Sequence, residues 1–414
     1  MIPLLRFPAS SVRGVVIFVL AGVGVFGCRA APKSDPSLAH DVSSLAREPY
    51  PGVEKPVADG LAAELARPAE APPASPRPLQ VLALSGGVGA APYAAGALVG
   101  WTESGTRPTF DVVTGISSGA LLGAYAFLGP KYDPKLKELI LTLTSEDLVK
   151  VQPLRHVFRD GAFGSAAPAK HLLETRINDD FLADLRQAHA EGRRFFVGTM
   201  DLQTNQLAIW DVGAIASSGR PDAGDLVRKV LLAAFSWPGL LPPVEFNVEV
   251  DGRCYHEQHY DGGAGAMAFV RFGPLPGWPE HGAPARPGWL KGSNLYVLAC
   301  RKLYSDPTPV RKRAMSRTMA YIGATFEALT RSDIARLYSL CAVSGMQYHL
   351  LAMPQEIPDE PLGFGEVFPK SARQMFEKGY QAGAGGPSWR LSPPGAEPGE
   401  EVGPRDGTQV DTCR

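Results

Sequence analysis

The sequence predicts an α/β fold in which a mostly parallel central sheet is covered by helices on both faces. Three observations carry that prediction. Leu79–Leu84 and Phe110–Thr114 are short apolar runs that each stop at glycine, and a helix-forming stretch of small residues separates them. Strand, helix and strand at this spacing make a βαβ unit, whose two strands lie parallel in a covered sheet. Further apolar strands, Arg194–Thr199, Leu295–Cys300 and Gln347–Met353, alternate with helical patterns downstream. Both glycine turns fall on the carboxyl edge of the sheet, the edge where open α/β sheets bind ligands.

The chain has 414 residues, enough for one large domain or two ordinary ones with a substantial core. Its formal net charge of −1 gives no electrostatic reason to expect a nucleic-acid partner. Five cysteines are too few for a disulfide scaffold.

Residues 1–28 read as a targeting segment. Arg6 and Arg13 form a positive front, no acidic residue precedes Asp35, and Gly14–Gly27 is an apolar run too short to span a bilayer. The run ends at Val25-Phe26-Gly27-Cys28, which resembles a bacterial lipoprotein signal with Cys28 as the lipidated residue. A plain secretory signal is the alternative, Phe26 being bulkier than the lipoprotein pattern usually has. Arg29, where an aspartate would favour inner-membrane retention, makes the outer membrane the expected location. Either reading exports the protein. Residues 29–77, rich in Ala, Pro, Glu and Ser, cannot bury a core and are expected to be a disordered tether.

The folded domain is expected over 78–385. After the first strand come helices over about Ala91–Glu103 and Ser118–Phe127. Residues 130–165, with Pro130, Pro134 and Pro153, read as a cap or lid rather than core. Helices over 167–177 and 180–190, strands at Arg194–Thr199 and Leu207–Asp211, and a helix over Asp225–Phe235 follow. Asp201–Asn205 between the two strands has hairpin-turn chemistry. Pro238 enforces the stop after that helix. Then come Leu295–Cys300, a long helix over about Val310–Ser344, Gln347–Met353 and a closing helix over Ser371–Ala382. Residues 386–414 are expected to be a disordered tail, and no internal repeat is visible.

Gly115-Ile116-Ser117-Ser118-Gly119 fits G-x-S-x-G, in which a serine sits on a tight strand-to-helix elbow flanked by small residues. Alone it reads equally well as a loop with Ser117 or Ser118 as an N-cap. Ser85-Gly86-Gly87 at the same sheet edge favours the nucleophile. Asp261-Gly262-Gly263 follows an apolar-flanked strand and could deliver a carboxylate into a tight site, or be a simple Asp-Gly turn.

Together these three motifs resemble the patatin-like phospholipases, a family of lipid acyl hydrolases. Supporting matches are Gly100-Trp101, the segment 108–115 and the segment 236–244, so the resemblance covers about 79–383. It implies a three-layer α/β/α patatin-like fold with a mostly parallel central sheet. It implies a serine–aspartate dyad of Ser117 and Asp261 that works through an acyl-enzyme, with no cofactor. Backbone N–H groups of Gly86, Gly87, Val88 and Gly89 would form the oxyanion hole, Gly115 and Gly119 would shape the elbow, and Gly262 and Gly263 would flank the base. The implied partners are a phospholipid or other lipid ester and a membrane surface reached through the lipid anchor. Head-group preference and oligomeric state are not readable.

The glycine loop departs from the family pattern. A gapless match puts Val88 at the third glycine, Ala90 at a usually basic or polar position and Ala91 at the last glycine. A valine at positive φ would be strained, which would weaken the oxyanion hole. A weak or inactive scaffold that binds lipid or a partner protein is therefore the alternative to an enzyme. A Ser-His-Asp hydrolase would need a late histidine, but His349 reads as a packed strand residue. His256 and His259 lack a third ligand at a recognisable spacing, so no metal is expected. Cys300 and Cys341 either pair or remain buried thiols, and the pairing of Cys254 and Cys413 is equally open.

Overall fold

The computed structural model describes residues 47–49, 77–153, 161–250, 253–272, 288, 290–304, 314–358, 360 and 365–396. The signal-type segment with Cys28, most of the expected tether and the final residues from 397 lie outside the described residues.

A nine-stranded sheet organises the domain. Its strands are β1 (Arg47–Pro49), β2 (Gln80–Leu84), β3 (Val112–Ile116), β6 (Arg194–Asp201), β7 (Gln206–Asp211), β8 (Val244–Val250), β9 (Arg253–Asp261), β10 (Asn294–Ala299) and β11 (Gln347–Ala352). Two further strands, β4 (Lys150–Val151) and β5 (Gly164–Ser165), form a separate pair. In the main sheet β6, β3, β2, β10 and β11 run parallel in that order. β7 and β9 flank β6 antiparallel, β8 extends from β9, and β1 lies against the outer side of β7.

Alternation along the strands sorts the core into two layers, as the pleat requires. Leu82, Leu84, Val113, Phe195 and Val197 point into one cluster with residues from eight helices. These helices are α1 (Ala91–Glu103), α2 (Ser118–Leu128), α3 (Asp133–Thr142), α4 (Ala167–Arg176), α5 (Asp179–Ala190), α6 (Val212–Ala216), α7 (Ala223–Phe235) and α9 (Ala372–Ala384). Val81, Ala83, Val112, Phe196 and Val297 point the other way, onto Ile334, Leu337 and Cys341 of the long helix α8 (Ala314–Ser344). The result is a three-layer α/β/α fold. No helix among the described residues is long and apolar enough to cross a membrane.

Helix α1 explains its own composition. It is buried nearly all round, so its small residues reflect close packing rather than a water-facing stripe. A Cβ on Gly96 or Gly100 would overlap the backbone of Phe376 or Tyr380 in α9, and one on Gly379 or Gly383 would overlap the backbone of α1. The two helices touch backbone to backbone.

Three expectations need correction. The segment 130–165 is not simply a lid, because α3 buries Leu136, Leu139 and Ile140 in the main core. Buried Asp133 at its start binds buried Arg107 at 2.9 Å, which ties the helix to the loop before β3. The proline at the start of α3 marks a helix N-terminus, where its missing N–H costs nothing. Within the stretch expected to be a tether, β1 pairs with β7. The start of the stretch expected to be a disordered tail is packed: Trp389 lies edge-on against Trp101 with centroids 4.8 Å apart, and Arg390 exchanges backbone hydrogen bonds with Leu350.

Gly379→Ala is expected to cost about 1–3 kcal/mol by overpacking against a backbone that cannot yield. Gly385→Ala, where a Cβ meets nothing within 4 Å, should leave the Tm close to wild type. Equal melting of the two variants would refute the close helix contact.

Candidate active site

The site is assembled by one strand. β3 pairs with β6 up to Ile116 opposite Gly198, and β9 takes over at the next residue, with Asp261 opposite Thr199. β7 occupies the other side of β6 over the same stretch, so β3 and β9 approach end to end on one side. The residue that follows Ile116 is Ser117. Its side chain lies beside the Asp261 carboxyl, close enough to hold that group's pKa down.

Ser117 has φ 53° and ψ −127°, a conformation that a side chain bearing a Cβ adopts only under constraint. The constraint is close packing of α2 on the sheet. A Cβ on Gly119 would come within 2.5 Å of the Leu84 carbonyl oxygen, and one on Gly115 within 2.6 Å of the Ala120 Cα. Ser118 is the first residue of α2, so its N–H has no carbonyl of its own helix to bond.

Asp261 is fixed by its backbone N–H, which donates to the Ser236 carbonyl at 2.9 Å. The Gly263 N–H donates to Asp261 Oδ1 at 2.8 Å. Burial pushes the carboxyl up from 3.8 to about 6, against the hydrogen bonds from Ser117 and Gly263, which hold it down. Gly262 must lack a side chain, because a Cβ there would come within 2.5 Å of the Gly198 carbonyl oxygen.

The glycine turn is held from two directions. Buried Ser85 donates its N–H to Leu298 O at 3.1 Å, and its Oγ accepts from the Cys300 N–H at 2.9 Å. Gly86 N–H donates to the Met267 carbonyl at 2.9 Å. That commitment corrects the expectation that Gly86 offers an oxyanion donor, because its N–H positions the loop instead. Gly87 has φ 139°, and a Cβ there would overlap the Cys300 carbonyl, so this position needs glycine. Val88 does not. It begins a short 3-10 turn, Val88–Ala90, that runs directly into α1, and its φ is not positive. The expected strain is absent because the positive φ falls one residue earlier.

Sequence reasoning missed the residue that braces this arrangement from the far side. Asp333 of α8, 2% exposed, accepts the N–H groups of Met267 at 2.6 Å and Ala268 at 3.1 Å. Arg336 holds the same carboxylate at 2.9 Å. Met267 in turn holds Gly86, so α8 braces the glycine turn through the segment that follows Asp261. An aspartate within a long helix gave no motif by which to find it.

Ser117 and Asp261 open into a cavity of about 520 Å³. Gly87, Val88 and Gly89 line the same end. The walls are mostly apolar and include Leu121, Ile140, Leu148, Phe235, Trp237, Leu241, Met267, Ile322, Phe326 and Phe368, with Arg301, Lys302 and Glu360 as further charged residues. No histidine among the described residues lines it. His349 stacks on Tyr296 at 4.7 Å and hydrogen-bonds Asn294 at 2.9 Å, at the opposite end of β10 from the glycine turn. His259 bonds Thr199 Oγ1 at 2.8 Å and Glu257 at 3.0 Å. Asp201, Glu257 and His259 lie near one another, but Asp201 already accepts from Gln203 N–H and the Thr204 hydroxyl. Cys300 and Cys341 are free and buried, and burial pushes the Cys300 thiol up to about 12. Cys28 and Cys413 lie outside the described residues.

Residues 82–272 match the family model for patatin-like phospholipase. A solved structure with a remote likeness is that of VipD from Legionella pneumophila. It is 13% identical with a TM-score of 0.36, and the match covers 74% of this chain and 66% of that one. The chain thus spans just under two thirds of the length of VipD. No curated protein matches the chain.

The raised Asp261 pKa has a defined consequence for stability. Below the unfolded value of 3.8 the carboxyl is neutral in both states, and this favourable contribution is lost as pH rises through about 6. Asp261→Asn keeps the acceptor for Gly263 without the buried charge. It is expected to be more stable than wild type at pH 8 by roughly 1–3 kcal/mol, with the gap closing at pH 4. Denaturation of both proteins at the two pH values measures it, and a pH-independent gap would exclude a burial-raised Asp261.

Proposed function

We propose that this chain, which carries a patatin-like phospholipase domain, is a serine acyl hydrolase that cleaves lipid carboxylic esters through Ser117 and Asp261. The observation that carries the reading is the juxtaposition of Ser117 and the buried Asp261 carboxyl at one end of a mostly apolar cavity. A serine is a weak nucleophile unless a base within hydrogen-bonding reach takes its proton. A carboxyl raised to about 6 is a better base than an ordinary aspartate and is still ionised at neutral pH.

In this mechanism Ser117 Oγ attacks the ester carbonyl as its proton passes to Asp261. The oxyanion that forms is met by backbone N–H groups of Gly87, Val88 and Gly89, together with that of Ser118. Collapse of the tetrahedral intermediate expels the alcohol, which takes the proton from Asp261, and leaves an acyl group on Ser117. A water molecule activated by Asp261 then releases the fatty acid. The apolar walls suit an acyl chain, whose methylenes gain about 0.8 kcal/mol each on leaving water. Val88 gives no reason to prefer an inactive scaffold, since its φ is ordinary.

The full-length protein is expected to hydrolyse nitrophenyl esters and phospholipid, with Ser117→Ala and Asp261→Asn each losing at least about 10³-fold. kcat/KM should fall as pH drops below about 6, where Asp261 takes up its proton. Val88→Gly should stay within a few-fold of wild type. Turnover that survives Ser117→Ala would overturn the mechanism.

We extend the reading to the cell envelope: the chain is exported and anchored to the outer membrane through Cys28. Cys28→Ala is expected to abolish incorporation of labelled palmitate and to move the protein out of the membrane fraction. Unchanged labelling would remove the anchor.

A further inference from the structure

Asp261 is the last residue of β9, and β9 meets the rest of the sheet over a short stretch. It joins β6 through three residue pairs, Thr199 with Asp261, Met200 with Tyr260 and Asp201 with His259, and otherwise pairs with β8. So short a ladder is a weak hold for a group that must meet a serine at hydrogen-bonding range. Residues directly opposite in an antiparallel pair share a face, as do residues two apart on one strand. Thr199, His259 and Asp261 therefore belong to one face of the sheet, and Thr199 and His259 are completely buried.

Buried side chains tie three strands together there. The Trp210 Nε1–H of β7 donates to Thr199 Oγ1 of β6 at 2.6 Å. Thr199 Oγ1 lies 2.8 Å from His259 Nδ1 of β9, and His259 Nε2 lies 3.0 Å from Glu257 Oε2. The donors fix the direction of this chain of bonds. An indole nitrogen can only donate, so Thr199 Oγ1 accepts from Trp210. The single hydroxyl proton then goes to His259 Nδ1, the other side-chain partner of Thr199 among the described residues. Nδ1 is thus the accepting nitrogen, and Nε2 carries the proton that Glu257 accepts.

Ring packing locks the arrangement. Phe246 of β8 lies against both Trp210 and His259, with centroids 4.7 Å and 5.0 Å away. Trp210 stands opposite Val197 on β6, and His259 stands opposite Asp201. The tie therefore spans the stretch of β6 in which β3 gives way to β9. A slip of β9 by one residue would carry His259 to the other face and leave the buried Thr199 hydroxyl without its acceptor.

We infer that Thr199 and His259 are positioning residues for the proton transfer between Ser117 and Asp261, acting through a hydrogen-bonded tie that fixes the register of β9. Neither lines the cavity, so their part is to hold Asp261 rather than to meet substrate. The bond from the Asp261 N–H to Ser236 joins the base to the segment after α7, and the tie joins its strand to β6 and β7. The carboxyl is held from both directions. Misplacing a reacting group by about 1 Å is enough to cost on the order of 10²-fold in rate. The inference rests on the hydrolase reading above and adds the residues that set its geometry.

The test uses the full-length protein and nitrophenyl butyrate. Thr199→Val keeps the shape and removes the hydroxyl, leaving the Trp210 N–H and His259 Nδ1 against an apolar group. It is expected to lose roughly 10- to 100-fold in kcat, with KM within about 2-fold of wild type. Thr199→Ser, which restores the hydroxyl, should recover most of the rate. An unchanged kcat in Thr199→Val, or equal losses in the valine and serine variants, would overturn the tie. A second readout needs no turnover: the titration of the Asp261 carboxyl by carbon-13 NMR, assigned by its loss in Asp261→Asn. Thr199→Val should move that titration from about 6 down towards the ordinary value of 3.8, as the loosened carboxyl meets water, and Thr199→Ser should move it back. A titration that Thr199→Val leaves in place would overturn the tie even if the rate falls. A wild type without turnover would remove the hydrolase reading alone, and the titration would still decide whether the tie holds Asp261. If Thr199→Val does not fold, His259→Phe, which keeps a buried ring, carries both measurements.

Discussion

The register of β6 is the constraint on which the site depends. One strand pairs with β3 through Gly198 and with β9 from Thr199 onward, and the changeover brings Ser117 against Asp261. A slip of one residue in either pairing would turn the serine or the aspartate to the opposite face of the sheet. The absence of side chains at Gly198 and Gly262 makes the changeover possible, because a Cβ at either would run into Ile116 or into the neighbouring backbone. The register thus settles a distance that loop geometry alone would leave free.

Much of this was legible from residues. Helix α1 occupies the span its small residues suggested, and both glycine turns lie on one sheet edge. Ser117 and Asp261 were readable as candidates because tight turns restrict which residues can stand in them. What the sequence could not convey was tertiary. Asp333 carries no motif, and its role comes from the two backbone N–H groups it happens to meet. Val88 was misjudged because spacing alone cannot say which residue of a glycine-rich turn takes positive φ. Gly87 does so because it passes against the Cys300 carbonyl. Trp389 lay in a stretch dominated by glycine, proline and charge, and a single aromatic anchor escapes a compositional reading. Residues 130–165 read as a lid from sequence because the prolines around α3 sit at its start and in the flanking loops.

The glycine turn and the Asp261 segment are also linked away from Ser117. Met267 receives Gly86 on its carbonyl and gives its own N–H to Asp333, so the turn, the segment after Asp261 and the long helix share one hydrogen-bonded path. Thr114, on the strand that leads to Ser117, donates to the Phe269 carbonyl two residues further on. Both faces of the sheet therefore contribute to holding the site: α2 presses on it from one side, and the 266–270 segment with α8 supports it from the other. Preorganisation of this kind matters because a backbone donor contributes most where it need not move to meet the developing charge.

The backbone contact between α1 and α9 bears on how the chain reaches this state. The first helix of the βαβ unit is completed by the last helix of the domain, and β2 finds one of its two neighbours in β10, more than 200 residues later. Contacts of such sequence separation raise the loop-closure cost of folding and slow it. During synthesis the motif-bearing half waits with one edge of β2 unpaired, a state prone to misassociation. The stretch matched by the family model, 82–272, stops before β10 begins. The recognisable segment and the cooperative folding unit are thus different lengths of chain.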